Sequence, residues 1–312
     1  RTTMLQEVAV LLSEHVDFPS LNLPHRDFTS ADQITDADIE SAAEECRALW
    51  QLGKGPIQDL LLAAEGAGIV VVREETEIPV IEGLSCWSEE LGGRPLVHLS
   101  ADKANAFRSR FDLAHEIGHL VLHRDLPPPP DKEAYNLMER QAHQFAGALL
   151  LPAQTFADEV RLPVNLDSLL SLKQRWGASV AAMLMRLHAL RILSDEEKLA
   201  LFKRRSARWG VKSEPGDQAW TPEKPRLLRR SIELLVSEGV LSAERIPFFL
   251  GTSTLDIEKL CHLRERYFEA PGQVMDLAML RNSRARDEGS ASPVRNAGDV
   301  IDFVLNGVAP AR

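Results

Sequence analysis

Residues 111–120 read Phe-Asp-Leu-Ala-His-Glu-Ile-Gly-His-Leu, a His-Glu-x-x-His pattern set among apolar positions at helical spacing. On an α-helix His115 and His119 lie one turn apart and leave the same face, so both imidazoles can grip one metal ion. Glu116, beside the first histidine, then stands where it can take a proton from a water on that metal. A zinc ion with an open position lowers the pKa of its water towards neutrality, and the carboxylate completes the nucleophile. The alternative is a pair of solvated histidines on an ordinary surface helix. That alternative fits poorly with Leu113, Ala114, Ile117, Leu120, Val121 and Leu122, which mark a core helix. Polar side chains carried into a core need polar partners.

Two histidines and a water leave a zinc shell one protein ligand short. His123 continues the i, i+4 series but lies two turns beyond His115. A rise of roughly 12 Å puts it out of reach of the same ion unless the helix breaks. The downstream positions that hold a glycine and a third histidine in the extended form of the motif are Leu122 and Asp125 here. A better source is the stretch 138–152, where Met138, Ala142, Phe145 and Leu149 form one apolar stripe with helical period. Glu139 and His143 share a flank of that stripe. A carboxylate in such a place either snorkels to water or binds something positive. Glu139 is therefore the expected third ligand. His143, one turn on, reads as a donor behind the ligands, as a substrate contact, or as a half-buried helix histidine. On this reading Glu139→Ala costs most of the zinc affinity, whereas His123→Ala and His143→Ala keep the metal.

Together the segments 111–125 and 139–152 resemble the ImmA/IrrE family of bacterial metallopeptidases. The family pattern runs from an Arg-x-x-Phe-like lead into Ala-His-Glu-x-Gly-His-x-x-x-His, then Glu-x-x-Ala-x-x-Phe-Ala-x-x-Leu-Leu-x-Pro. Here Arg110-Phe111 precede Ala114-His115-Glu116-Ile117-Gly118-His119, with His123 in the trailing position. Glu139, Ala142, Phe145, Ala146, Leu149, Leu150 and Pro152 match the second element. The likeness spans roughly residues 40–225, from Trp50–Ile57 and Ser85-Cys86-Trp87 to Trp176–Ser179 and Glu214-Pro215-Gly216. The position after Ala142, commonly a small polar residue in the family, is His143. The resemblance implies a narrow protein substrate, typically a helix-turn-helix transcriptional repressor whose cleavage releases stress-response or mobile-element genes. It also implies that many relatives carry an N-terminal helix-turn-helix of their own, which here would precede Arg1.

A chain of 312 residues with 44% hydrophobic content can bury a substantial core in two or three modules. Cys46, Cys86 and Cys261 make no paired framework and no Cys-x-x-Cys, which suits a reducing cytosol. No apolar run approaches 18 residues and no charged-then-apolar leader opens the chain, so neither a membrane span nor a secretion signal is expected. The expected location is cytoplasmic. The first residue is Arg1 rather than Met, as in a fragment of a longer protein. A net charge of −10 argues against indiscriminate grip on a nucleic-acid backbone. Local basic clusters at Lys203–Trp209 and Lys224–Arg230 read first as solvated helix faces.

The expected fold is α+β: a small mixed sheet with a metal-binding helix, followed by a helix-turn-helix-like module and a mainly helical C-terminal region. An amphipathic helix over residues 1–20 (Leu5, Val8, Leu11, Leu12) ends near Pro19, and a linker runs to residue 34. The metallopeptidase domain covers 35–160. Within it, helices are expected over Asp36–Leu52, capped by Thr35 or Asp36, and over Ile57–Ala67. A buried strand at Ile69–Val72 and a hairpin of Leu84–Ser88 with Leu96–Leu99 across Gly92-Gly93 complete the sheet. That order leaves an edge strand beside the metal, where an extended peptide can add main-chain hydrogen bonds. Pro127–Pro130 ends the motif helix and gives a stiff connection to the Glu139 helix.

Residues 161–200 read as helix, turn and helix: Leu166–Arg175, a break at Trp176-Gly177, then Ala178–Leu190 with Ala181, Leu184, Leu187 and Leu190 inward. Such a pair can read DNA. A packing role is favoured, because the second helix offers only Arg186, His188 and Arg191 as polar contacts. Residues 201–312 are mainly helical (Leu227, Ile232, Leu235; Leu255, Leu260, Leu263), with a flexible stretch near 281–296 and a last short element over Asp299–Leu305.

Two functions follow. One is a cytosolic zinc endopeptidase, with Mn2+ or Fe2+ as possible substitutes. His115, His119 and Glu139 bind the metal, and Glu116 acts as general base and then as proton carrier to the leaving amine. Tyr135, one turn before Glu139, is the candidate oxyanion donor, and its plain alternative is a helix-surface tyrosine. The other function is a metal-binding transcription regulator or toxin–antitoxin component without turnover.

Overall fold

The computed structural model describes residues 2–75, 83–102, 105–269 and 301–302. The chain forms two units. One is Pro19–Pro225, and the other joins the residues up to Phe18 to the described residues from Arg226 onward. This division cuts the chain along different lines from a linear series of modules.

The first helix, α1 (Thr2–Ser13), turns Leu5, Val8, Ala9 and Leu12 inward. It is shorter than the expected 1–20. Pro19 disfavours a helical conformation at Phe18, and the chain is already extended at β1 (Val16–Asp17).

In the larger unit, caps written into the sequence set the helix starts. For α2 (Asp36–Leu49), Thr35 accepts from Asp38 N while the Asp38 carboxylate accepts from Thr35 N. Asp59 caps α3 (Leu60–Gly66), three residues later than expected. The sheet follows: β2 (Val70–Glu74), β3 (Gly83–Ser88) and β4 (Arg94–Ser100), in the order β2-β4-β3. β4 pairs antiparallel with β3 across the Gly92-Gly93 turn, with Cys86 opposite Leu96, and parallel with β2, with Val70 opposite Leu96. β2 is buried along its whole length, as a parallel strand covered on both faces should be. β3 is left as an edge.

Next come α4 (Ala106–Leu122), α5 (Lys132–Leu150) and α6 (Ala153–Glu159). The proline run lies between α4 and α5, and Asp131 caps α5 by accepting from Ala134 N. α4 packs against α5 and the sheet, and α2 packs on α5. The helix-turn-helix-like pair is α7 (Leu166–Trp176) and α8 (Val180–Ala189), and α9 (Asp195–Trp209) packs on α8. One apolar core runs from Ile34 to Leu201, so this pair is part of the same body as the motif helix. The inner face of α8 is Val180, Met183, Leu184 and Leu187. Ala181 and Leu190, expected inward, are only partly covered. Arg110 of α4 is almost fully buried. Its guanidinium bonds the carbonyls of Ile57 and Gln58 and the carboxylate of Glu223, which in turn accepts from Leu60 N and Leu61 N at the start of α3.

In the smaller unit α10 (Leu227–Ser237) packs on α1, followed by α11 (Arg245–Leu250) and α12 (Thr254–Leu260). Ile257 and Leu260 turn inward, whereas Leu255 is exposed. β5 (Ile301–Asp302) pairs parallel with β1 and is all that is described of the last expected element. The polar stretch 281–296 lies outside the described residues.

Candidate metal centre

The motif helix starts at Asn105, whose side chain accepts from Arg108 N, and its buried face carries Leu113, Ala114, Ile117, Leu120 and Val121. Gly118, inside the motif, lets α5 come close. A Cβ there would lie 3.1 Å from the Phe145 ring and 3.2 Å from the backbone of Ala142. That approach carries Glu139 to the two histidines. His115 Nε2 and His119 Nε2 are 3.1 Å apart. Glu139 straddles them, with Oε2 3.4 Å from His115 Nε2 and Oε1 3.3 Å from His119 Nε2. In a tetrahedral shell with ligands about 2.0–2.2 Å from the ion, neighbouring ligand atoms sit roughly 3.3–3.6 Å apart. The three groups are therefore spaced as the corners of one metal shell, and their donor set suits zinc.

Burial and the nearby imidazoles His119 and His143 push His115 down to about 3, so its ring is neutral at any ordinary pH. The hydrogen bond with His119 holds the Glu139 carboxyl down to about 2 against the opposing effect of burial.

The Glu116 carboxylate meets the edge strand. Ser85 Oγ of β3 donates to Glu116 Oε2 at 2.6 Å. Two residues earlier, a Cβ on Gly83 would lie 2.5 Å from Glu116 Oε1, so any larger residue there would displace the carboxylate. Burial raises the Glu116 pKa, and the Ser85 hydrogen bond opposes the rise. A carboxyl poised in that direction is a better proton acceptor and donor near neutral pH than an exposed one.

His123 follows the end of α4. It is buried, its Nδ1 is 3.0 Å from His119 Nδ1, and its Nε2 is 3.1 Å from Gln141 Oε1. Burial and the neighbouring His119 push it down to about 4. It therefore lies behind His119 rather than at the metal position. His143 packs edge-on to His115, with ring centroids 4.3 Å apart. Its Nδ1 is 2.7 Å from the Glu139 carbonyl, which can only accept, so Nδ1 is the donor there. His115, Glu139 and His143 each offer a ligand atom within 4.8 Å of the others. The tighter set is the one with His119, at 3.1–3.4 Å, and His143 stands at its exposed rim. Tyr135 is half exposed, and the charge of Glu139 together with a hydrogen bond to it raises the phenol.

Sequence reasoning missed Ser85 and Gln141 as site residues. Gln141 left a signal, being a polar side chain on the covered face of α5, next to Ala142. Ser85 left none, because a serine in an edge strand is ordinary.

The second helix of the helix-turn-helix-like pair has little left to offer DNA. Arg186 is buried and bonds the Glu40 carboxylate and the Leu151 carbonyl, and His188 pairs with Asp195. The N-terminus of α8 is taken by Glu214, which accepts from Val180 N and Ala181 N and pairs with Lys173 and Arg205. The pair contributes to the same apolar core, and Arg205 of the nearby basic cluster is spent in the Glu214 network.

A helix-borne His-Glu-x-x-His pair, a carboxylate from the next helix and an edge strand alongside define a metallopeptidase type of site. Residues 64–188 match the model of the IrrE N-terminal-like domain of the M78 peptidases, the ImmA/IrrE metallopeptidase family. Among solved structures, a Mycobacterium tuberculosis transcriptional regulator is similar at 18% identity over 62% of this chain and 53% of that one, with a TM-score of 0.37. The chain thus spans about half the length of that regulator. No curated protein matches the chain. No helix among the described residues is long and apolar enough to cross a membrane.

Proposed function

We propose that the chain is a zinc-dependent endopeptidase that cuts one specific protein. The observation that supports this best is the placing of Glu116. Its carboxylate is fixed by Ser85 at 2.6 Å and lies on the residue next to a ligand histidine, while three ligand atoms converge at the spacing of one shell. His115, His119 and Glu139 hold the metal. A bound zinc ion supplies Lewis acidity and a more acidic water, and Mn2+ or Fe2+ can stand in for it. Glu116 accepts the proton of the attacking water and returns it to the leaving amide nitrogen. The burial that raises its pKa favours the acceptance step.

The substrate is an extended stretch of polypeptide laid along the outer edge of β3, where main-chain groups complete a fourth strand. Gly83, Ser85 and Trp87 alternate along that strand, so peptide paired there runs past Glu116. His143 at the rim meets the substrate, and Tyr135 beside Glu139 is the donor for the developing oxyanion. The family resemblance points to a helix-turn-helix transcriptional repressor as the protein cut, in stress response or mobile-element control. Three cysteines that form no disulfide suit a reducing, cytoplasmic setting.

The test is Glu116→Gln with a co-expressed repressor from the same operon. The variant is expected to keep its zinc and its thermal transition and to lose cleavage. Cleavage that persists would overturn the role of Glu116. A partner that is bound by both forms and cut by neither would leave a metal-binding regulator as the better description.

A further inference from the structure

A histidine ligates through one ring nitrogen, and the hydrogen bond at the other decides which nitrogen that is. The structure assigns His123 and Gln141 as positioning residues that fix the tautomer of His119 and so present its Nε2 to the metal. This rests on the metal-centre reading above and extends it to residues behind the ligands.

The argument runs inward from the backbone. Gln141 is buried, and its Nε2 lies 2.7 Å from the Ala31 carbonyl and 3.3 Å from the Ile34 carbonyl. Carbonyl oxygens accept only, so the amide nitrogen must face them and Oε1 must face the other way. Oε1 is 3.1 Å from His123 Nε2, and an amide oxygen cannot donate, so His123 carries its proton on Nε2. The neutral ring then has a lone pair on Nδ1. That atom is 3.0 Å from His119 Nδ1, so the proton between the two rings belongs to His119. With Nδ1 protonated and tied, Nε2 of His119 is the metal-facing atom, 3.1 Å from His115 Nε2 and 3.3 Å from Glu139 Oε1. Each donor and acceptor in the relay is fixed by the one before it, back to two main-chain carbonyls in the segment ahead of α2.

His115 has no such restraint. Its Nδ1 is buried with no hydrogen-bond partner among the described residues. The relay is therefore specific to the second histidine of the motif, and His119 is the better-oriented of the two ligands.

The experiment combines zinc affinity, by competition with a fluorescent chelator, with long-range 1H–15N spectra of the histidine rings in the zinc-loaded protein. The spectra are expected to show His119 protonated at Nδ1 and His123 protonated at Nε2. His123→Phe, which keeps the ring volume and removes the acceptor, is expected to weaken zinc binding about 10- to 100-fold. His123→Asn, which restores an acceptor, should recover much of that loss. Gln141→Met acts one step further out and should let the His123 ring adopt either tautomer while the fold is kept. Unchanged affinity in His123→Phe, or a wild-type spectrum with His119 protonated at Nε2, would overturn the relay. His115→Ala is measured alongside. If that variant also binds zinc like wild type, the metal centre itself is misassigned, an outcome distinct from failure of the relay alone.

Discussion

Ser85 on the edge strand and Glu116 on the motif helix are 31 positions apart in the chain and 2.6 Å apart in space, joined by a hydroxyl donating to a carboxylate. The strand that would receive a substrate peptide is thereby tied directly to the group that would move the proton. Ser85→Ala removes one hydrogen bond to a charged group, about 1.5–3 kcal/mol of restraint. Cleavage is expected to fall by about tenfold or more with zinc content unchanged, measured as turnover of the substrate beside elemental analysis. Wild-type turnover in Ser85→Ala would show that the contact does not orient the base.

Gly118 sits where α4 and α5 touch. A valine there has nowhere to go, because even a Cβ meets the Phe145 ring at 3.1 Å and Ala142 at 3.2 Å. Gly118→Val should push α5 and Glu139 away from the histidines and lower zinc affinity. Overpacking of this kind also costs about 1–3 kcal/mol of stability. Isothermal titration with zinc, set beside a denaturant midpoint, separates the two effects.

The ligand assignment gives an ordered expectation. His115→Ala, His119→Ala and Glu139→Ala should each lose the single zinc during dialysis against a mild chelator, while His143→Ala keeps it and changes turnover at most. Loss from the His143 variant with retention by the Glu139 variant would exchange their roles, a swap that the wider grouping of His143 with His115 and Glu139 makes worth measuring.

Acid should destabilise the metal-free protein. His123 is held at about 4 against an ordinary 6.5, so the unfolded chain takes up a proton below pH 6.5 that the folded chain refuses. Stability is full above pH 6.5 and falls as pH drops from there towards 4, by on the order of 3 kcal/mol for this group. His115, held at about 3, acts with the same sign over a wider range. Glu139, held near 2, adds loss below its ordinary 4.5. Urea midpoints of the metal-free protein at pH 7, 5.5 and 4.5 test this, and a flat profile would contradict it. His123→Phe should flatten the profile in part.

Arg110 is a separate keystone. It is buried against Glu223 and two main-chain carbonyls. Burial already raises the Glu223 pKa despite that partner. Arg110→Met would leave the carboxylate buried without its cation, and a loss of about 3–5 kcal/mol is expected. Chemical denaturation of the single variant and of Arg110→Met with Glu223→Leu checks it, since the double change should recover part of the loss.

What the sequence made legible follows from how local each signal is. His115, Glu116 and His119 could be read because one helical turn fixes their geometry, and Glu139 because it flanks an apolar stripe of the same period. The hairpin across Gly92-Gly93 and the capping box at Thr35 are likewise written within a few residues. Ser85 and Gln141 act across 31 and 18 positions, and no local pattern encodes those contacts. Arg186 misled for the same reason. It looked like a polar group available to a partner, but Glu40, 146 positions away, already holds it. The pairing of α1 with α10 is beyond any local pattern for the same reason.

Glu214 has a consequence of its own. Its carboxylate sits on the first amides of α8, flanked by Lys173 and Arg205, where a phosphate would rest if this helix were set into a nucleic-acid groove. The pair of helices thus carries its own anion, permanently installed. It keeps the silhouette of a reader while the socket that would grip a backbone is plugged from within. A duplex would have to evict a side chain held by two cations before it could dock.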